Sequence, residues 1–358
     1  MKNYLIFLLM LAAVISTAQI DTSASSFIIS GYAEVYYAYD FNKPADHLRP
    51  GFLYSHNRHN EFNLNLGYLK AAYSTKRVRA NLAIAAGTYM NANYATEPGV
   101  LKNLFEANAG FKLSEKSNLW IDAGIFASHL GFESAVSKDC WGLTRSILAE
   151  NSPYYESGAK LTYMTNDHKW LFSGLWLNGW QHIQRPDGNN TPAFGTQITY
   201  MPSDKVTLNY STFIGNDKPD EVKQMRYFQN VYAIMHLSEK IHLTTGFDYG
   251  MEQSSTGSSI YNQWYSPVLI VRYLFDDRWS VSGRGEFYSD VNGVIIPTGT
   301  ENGFQTSGFS LNLDYHIREN AVWRIEGRIL TSKDEVFVKE GRAVDTNTCL
   351  TTSLAVSF

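Results

Sequence analysis

Apolar and polar side chains alternate along most of this chain. Between residues 27 and 39 every odd position carries an apolar or aromatic side chain or a glycine, whereas Glu34 and Asp40 occupy even positions. Successive side chains of a β-strand point to opposite faces, so this period of two predicts a strand with one face suited to lipid and the other to water. The run from Val78 to Ile84 alternates in the same way, with Arg79 on its polar face.

Short polar turns join such runs in pairs. Seven pairs are found, and their turns lie at 74–77, 114–118, 165–168, 202–205, 238–240, 276–278 and 318–320. Longer connections rich in Gly, Asn, Asp and Pro separate the pairs, for example 42–57, 129–153, 181–190 and 289–302. With one opening and one closing strand, the pattern predicts 16 strands.

Short turns on one side and long loops on the other are typical of outer-membrane barrels. The runs have the length of about 9 to 11 residues that a tilted strand needs to cross a membrane. Assigned to the lipid face, many aromatic side chains fall next to the turns or next to the loops, as in the two interfacial girdles of such barrels. The sequence therefore predicts an all-β fold, a transmembrane antiparallel up-and-down barrel of about 16 strands with short periplasmic turns and long extracellular loops.

Both ends of the chain agree with export. Lys2 precedes an apolar run from Tyr4 to Ile15, which is the order of a secretory signal peptide. We expect residues 1–18 to be removed and residues 19–358 to form one barrel in the cell outer membrane, in contact with its lipid. The last predicted strand ends on Phe358, which resembles the C-terminal signal that the barrel assembly machinery reads.

Composition and charge exclude several functions. Without Lys2 the chain has 29 basic against 34 acidic residues and no basic run, so we expect no nucleic acid partner. No dinucleotide, phosphate or flavin motif is found, and the histidines lack the spacing of a metal site, so neither cofactor nor metal is expected. Cys140 and Cys349 are far apart in the sequence, and both a disulfide and two free thiols stay open.

The polar face of the predicted strands would line the barrel interior. A barrel of this size is wide enough for a water-filled channel, so charges on this face would not need to be neutralised by burial. The side chains that we expect to line such a pore are Glu34, Glu106, Asp122, Arg272, Arg284, Arg324 and Arg328. They could act as facing charge patches that orient small polar solutes, or they could pair across neighbouring strands and stiffen the wall.

The connection from 129 to 153 is too apolar for a loop that extends into water, since it contains Trp141, Leu143, Ile147 and Leu148. We expect it to fold into the lumen and narrow the channel. Its charged side chains would then be constriction residues, namely Lys138, Asp139, Arg145 and Glu150. The alternative is a surface loop packed on its neighbours or on another subunit.

The stretch TRSILAENSPYYESGAKLTY, the preceding FESAVSKD and the terminal Phe358 resemble the OmpL-like putative β-barrel porin-2 family. The resemblance implies an outer-membrane barrel with a porin role over nearly the whole mature chain, and it assigns no site residue. We therefore expect a non-enzymatic porin for small hydrophilic solutes or ions, with a homotrimer as one possible assembly. The alternatives are a closed barrel that acts as an adhesin or assembly scaffold, and an outer-membrane hydrolase.

Overall fold

The computed structural model describes residues 25–358, and the predicted signal peptide lies outside them. Sixteen antiparallel strands close into one barrel. They are β1 (Ser26–Asp40), β2 (Phe62–Ser74), β3 (Val78–Ala86), β4 (Leu104–Lys112), β5 (Asn118–Ala127), β6 (Tyr155–Met164), β7 (Trp170–Leu177), β8 (Ala193–Ser203), β9 (Val206–Gly215), β10 (Arg226–His236), β11 (Ile241–Gln253), β12 (Tyr261–Leu274), β13 (Trp279–Asp290), β14 (Phe304–Arg318), β15 (Ala321–Ser332) and β18 (Thr346–Ser357). The predicted fold class and strand count are confirmed.

The long connections carry the remaining elements. We name them L1 (41–61), L2 (87–103), L3 (128–154), L4 (178–192), L5 (216–225), L6 (254–260), L7 (291–303) and L8 (333–345). Helix α1 (Thr88–Asn93) and a 3₁₀ turn (Gly99–Asn103) lie in L2, and a 3₁₀ turn (Ser137–Asp139) and helix α2 (Ile147–Glu150) lie in L3. L5 has a 3₁₀ turn (Asp220–Val222), and L8 has the small hairpin β16 (Phe337–Lys339) and β17 (Arg342–Val344). No helix of residues 25–358 is long and apolar enough to cross a membrane.

The barrel closes where β1 meets β18, with Val35 opposite Leu354 and Asp40 opposite Cys349. The terminal residue is part of this seam. Gly31 N donates to Phe358 O at 2.7 Å, and Phe358 N donates to Gly31 O at 3.0 Å. The Phe358 ring lies against Gly31, where any β-carbon would collide with it.

The two faces of the wall follow the predicted alternation. Apolar side chains such as Ile29 and Leu311 are exposed on the outside, by 68% and 56%, whereas Glu34 points inward and is fully buried. Outward aromatic rings stack beside the short turns, for example Trp170 on Tyr200 with ring centroids 4.2 Å apart. An outer surface of this kind matches the apolar band and aromatic girdle of a barrel in lipid.

Strand β2 departs from the prediction. Its alternation predicts that Phe62, Leu66 and Tyr68 share the outer face. In the structure Phe62 is 85% exposed, but Leu66 is fully buried and Tyr68 stacks on the inward Tyr32. The cause is a β-bulge, because Glu34 pairs with Leu66 while Val35 pairs with Leu64, which leaves one extra residue on β2. An extra residue moves all later side chains to the opposite face.

Candidate functional site: the barrel interior

L3 enters the barrel and reaches almost to the end that carries the short turns, which we call the short-turn end. Lys138 Nζ at its tip donates to Oγ of Ser357, near the end of the last strand, at 2.8 Å. The Trp141 ring lies 6.3 Å from the His236 ring and 5.9 Å from the His242 ring, measured between centroids. These two histidines flank a short turn. L3 therefore spans most of the height of the interior.

Charged side chains of β13 and β15 hold the middle of L3. Glu326 accepts hydrogen bonds from the backbone N–H of Thr144 at 2.8 Å and from its hydroxyl at 2.5 Å. Arg284 donates to Thr144 O at 2.6 Å and forms a salt bridge with Glu326 at 3.1 Å. Glu286 accepts from the N–H of Ile147 at 2.6 Å and pairs with Arg328 at 2.7 Å. These four charged residues are all buried and partnered, as buried charges must be.

Arg324 of β15 holds the tip of L3. Its guanidinium group donates to the carbonyl oxygens of Ser137 at 2.6 Å, Cys140 at 3.0 Å and Trp141 at 3.1 Å. The same group binds both carboxylate oxygens of Asp314, at 2.7 and 3.0 Å. Arg324 is 1% exposed, so it acts as a structural clamp between wall and loop.

Glu34 of β1 ties the other side of the tip to L1. Its carboxylate accepts from Ser137 Oγ at 2.5 Å and from Asn65 Nδ2 at 2.9 Å, and it lies 3.0 Å from His56 Nε2. Glu34 and His56 are both fully buried. L3 is therefore fixed on one side by β1 and on the other by β13 to β15.

These contacts correct one expectation from the sequence. Glu34, Arg284, Arg324 and Arg328 face the interior as predicted, but they do not line water, because each is at most 4% exposed. The physical reason is that L3 and its neighbours enclose them. Backbone carbonyl groups of L3 accept hydrogen bonds from Arg284 and Arg324. Side chains of Ser137 and His56 enclose Glu34, and Glu286 pairs with Arg328. Charges that are taken out of water in this way need such partners.

Two of the four predicted constriction residues are also buried inside L3. Arg145 is fully buried and donates to the carbonyl oxygens of Leu143 at 2.6 Å and Ser134 at 2.6 Å. Glu150 accepts from the N–H of Tyr54 at 2.9 Å, and burial raises the pKa of the Glu150 carboxyl above its ordinary value. Arg145 therefore stabilises the fold of L3 itself, whereas Glu150 joins L3 to L1. Lys138 and Asp139, at the tip, keep contact with solvent.

The wall of β2 to β6 is different, and we call it the open sector. Its inward side chains Lys70, Arg79 and Glu106 are partly exposed, in contrast to the buried charges of β13 and β15. Lys70 Nζ lies 2.5 Å from a Glu106 oxygen, and Arg79 Nε lies 2.6 Å from Asp122 Oδ1. Of the predicted pore-lining residues, Glu106 is in contact with solvent, and so is Arg272 on the opposite wall. Asp122, in contrast, is only 4% exposed.

Sequence reasoning missed Lys70 as an interior residue. The alternation of β2 places it on the inner face only once the bulge at Asn65 is included. The sequence does contain a signal for this bulge. Glu61 and Lys70 are both charged, but one has an odd and the other an even number, so regular alternation would place one of the two charges on the lipid face.

L2 covers the open sector from the other end of the barrel. Tyr89 and Tyr94 of L2 pack with Tyr154 of L3 and Tyr155, the first residue of β6, and we call these four side chains the tyrosine layer. The Tyr94 and Tyr155 rings stack 4.0 Å apart, and the centroids of Tyr89 and Tyr154 are 5.7 Å apart. Tyr89 and Tyr94 are fully buried. Outside the layer lies a cavity of about 450 Å³, lined by L1 to L5, L7 and the start of β10.

Cys140 and Cys349 are both free thiols, which removes the disulfide alternative. Cys140 lies at the tip of L3 and its carbonyl group binds Arg324, whereas Cys349 pairs with Arg328 in strand register. Four residues along β15 correspond to about 13 Å. Bridged cysteines need Cα atoms within about 7 Å of each other, so each thiol packs locally instead.

His129 anchors the start of L3 to β9 and gives a pH prediction. Its Nε2–H donates to Thr212 O at 2.9 Å, while the buried Nδ1 has no partner within residues 25–358. Burial lowers the pKa of His129 to about 4. Because an unfolded histidine titrates near 6.5, the stabilisation by neutral His129 is fully present above about pH 6.5 and is lost as the pH falls towards 4, about 3 kcal/mol in all.

We expect His129→Gln, which keeps a side-chain donor and cannot titrate, to lose less stability than the wild type between pH 6.5 and 4.5. Thermal unfolding of the detergent-folded barrel at both pH values measures this difference. Thr256→Gln, at an exposed position of L6, is the control for a glutamine introduced elsewhere. An equal loss in the wild type and in His129→Gln would contradict the prediction.

Comparison with known proteins agrees with the geometry. The chain matches the family "Putative beta-barrel porin-2, OmpL-like" over residues 26–358. The fold is similar to an anion-selective porin from Comamonas acidovorans, with a TM-score of 0.61 and 10% identity over 94% of this chain and 100% of that chain. It is also similar to OmpT of Vibrio cholerae, with a TM-score of 0.60 and 9% identity over 95% of this chain and 99% of that chain. No curated protein matches the sequence.

At such low sequence identity the two solved structures support only the fold. The family match, in contrast, is a match of the amino-acid sequence. That match begins at the first strand of the barrel and ends at the terminal Phe358. The chain therefore belongs to the OmpL-like putative β-barrel porin-2 family of outer-membrane proteins.

Proposed function

We propose that this protein is a non-enzymatic channel through which small hydrophilic solutes cross the outer membrane by passive diffusion. The observation that carries the proposal is the difference between the two halves of the interior. Charged side chains of β13 and β15 are buried against L3, whereas those of the open sector, such as Lys70 and Arg79, keep contact with solvent. A polar, water-exposed wall inside a closed barrel is what a diffusion pore requires.

L3 limits the size of the solutes. It fills the side of the interior next to β13 to β15, so the path runs between L3 and the open sector. Lys138 and Asp139 at its tip are in contact with solvent, and we assign the constriction to them together with Arg79, which the buried Asp122 holds in place. A solute that does not fit beside L3 would have to displace a loop that Arg284 and Arg324 hold to the wall.

The remaining partners follow from the same proposal. Export needs the signal peptide 1–18, and Phe358 is positioned at the seam where assembly machinery would engage the last strand. Lipid covers the apolar outer face. A homotrimer stays a prediction, as does the absence of a hydrolase site.

One observation favours a second candidate, a closed barrel that serves as an adhesin or assembly scaffold. The tyrosine layer lies between the external cavity and the open sector, and its Tyr89 and Tyr94 rings are fully buried. Hydrophobic constrictions can stop ion flow by excluding water. In the channel that we propose, L2 must therefore move for solutes to pass.

Single-channel recording in a planar bilayer separates the two candidates. We expect discrete conductance steps of stable size from the detergent-folded wild type. The matched control is a preparation unfolded by heat before reconstitution, which should give none. Folded protein that produces no steps would refute the channel and favour the scaffold.

A further inference from the structure

The open sector carries a charge excess that defines the class of solute. We propose that the channel prefers small anions, such as chloride, inorganic phosphate and short carboxylates. This inference rests on the proposed channel function. It is carried by basic side chains that face the short-turn half of the interior and have no carboxylate partner.

Four of these basic side chains lack a carboxylate within 4 Å anywhere in residues 25–358, namely Lys112, Lys138, Lys160 and Arg272. Lys160 Nζ lies 4.5 Å above the centre of the Phe126 ring. Lys138 donates to Ser357 Oγ, and Arg272 donates to Ser280 Oγ at 3.1 Å. All four are partly exposed, so their positive charge acts on the water beside them.

Strand register shows how the charge is distributed. One row across the wall consists of Arg79, Gly110, Asp122 and Lys160, in which a single carboxylate stands between two cations. Gly110 is needed at its position, because a β-carbon there would collide with the Asp122 carboxylate. The next row towards the short turns has Lys112 opposite Trp120 and no acidic group. The positive charge therefore increases towards the short-turn end.

The acidic groups nearby do not cancel this excess. On the strands of the short-turn half, five cations (Lys70, Arg79, Lys112, Lys160 and Arg272) are accompanied by the two carboxylates Glu106 and Asp122. The third carboxylate of this half, Asp314, is already paired with the buried Arg324. At the tip of L3 the adjacent Lys138 and Asp139 offset each other. Glu133 of L3 accepts a hydrogen bond from the backbone N–H of Ser146 at 3.0 Å. The short-turn half of the interior thus carries an excess of positive charge, although the whole chain has a net charge of −4.

The chemistry of the cations sets the range of ligands. Ammonium groups are compact, hydrated point charges that attract any small anion without demanding a fixed geometry. In water-like surroundings, one uncompensated charge about 5 Å from the path favours a monovalent anion by about fourfold. Selectivity of this kind speeds passage and does not require a tight binding site.

The test is the reversal potential of the reconstituted wild-type channel in a tenfold KCl gradient. We expect a sign that corresponds to chloride, with an anion-to-cation permeability ratio of at least about 4. In the variant Lys112→Gln, Lys160→Gln, Arg272→Gln the ratio should fall towards 1. The matched control is Lys76→Gln, Lys116→Gln, Lys205→Gln, which removes three charges from exposed turns on the same side and should keep most of the selectivity.

The outcomes are distinguishable. Conductance steps with a cation-selective or unselective reversal potential would overturn the anion preference while leaving the channel in place. An interior variant that folds and keeps the wild-type ratio would overturn the assignment to these three residues and, with it, the inference. Absence of steps would refute the channel function and the anion preference together.

Discussion

Replacing Arg324 with alanine is expected to release the tip of L3 and to increase the conductance of the channel. Arg324 makes three hydrogen bonds to backbone carbonyl groups of L3 and two to Asp314. Its removal leaves the Asp314 carboxylate, which is 3% exposed, without a counter-charge. Breaking a buried pair by deleting one partner costs about 3–5 kcal/mol. The substitution removes no backbone hydrogen bond between strands. We therefore expect the lost free energy to loosen L3 and to leave the barrel wall intact.

Amide hydrogen exchange measures this release. We expect the amides of residues 134–145 to exchange faster in Arg324→Ala, while those of β8 and β9 stay protected. The matched control is Arg79→Ala, which also loses an interior salt bridge but whose hydrogen bonds do not involve L3. The double variant Arg324→Ala, Asp314→Ala should regain part of the lost stability, since no unpaired charge is left. Unchanged exchange in residues 134–145 would show that other contacts suffice to hold the loop.

The second large effect is expected at the tyrosine layer. In Tyr89→Ala, Tyr94→Ala two fully buried rings are deleted from the seal between the external cavity and the open sector. Each buried aromatic side chain that is cut to alanine costs about 3–5 kcal/mol locally. We expect a conductance several times that of the wild type, because water fills the space that the rings leave.

Swelling of liposomes in solutions of neutral sugars gives a second measurement of the same opening. Tyr210→Ala, Tyr265→Ala is the matched control, because these tyrosines are both 41% exposed on the lipid face. If the wild type gave no conductance steps and the double variant did, the tyrosine layer would be what closes a barrel that does not conduct. Equal conductance in both folded proteins would mean that the path avoids the layer.

The sequence predicts the wall well and the interior poorly, and the physical reason is the range of the interactions. Alternation is a local property, so Ile29 and Glu34 could be assigned to opposite faces from their positions alone. The apolar residues Leu143 and Ile147 similarly indicated that L3 does not extend into water. No local signal, however, shows that Glu326 meets the N–H of Thr144, which is 182 residues away.

Two other errors have the same origin. The bulge in β2 adds one residue to a regular pattern, and its position is set by pairing with β1 rather than by β2 itself. Arg145 looked like a constriction residue because a charged side chain in a loop normally meets water. Its burial follows from three carbonyl groups that L3 directs towards it once the loop is folded.

L3 also touches both strands of the barrel seam. At its tip, Ser137 Oγ donates to Glu34 of β1, and the next residue, Lys138, donates to Ser357 of β18. The loop therefore ties together the first and the last strand, in addition to their own ladder and the hydrogen bonds from Asn347 to Asp40. This has a practical meaning for nanopore engineering. Deleting L3 to widen the pore also removes its hydrogen bonds to β1 and β18. A widened pore should therefore be given additional contacts between β1 and β18 before a voltage is applied.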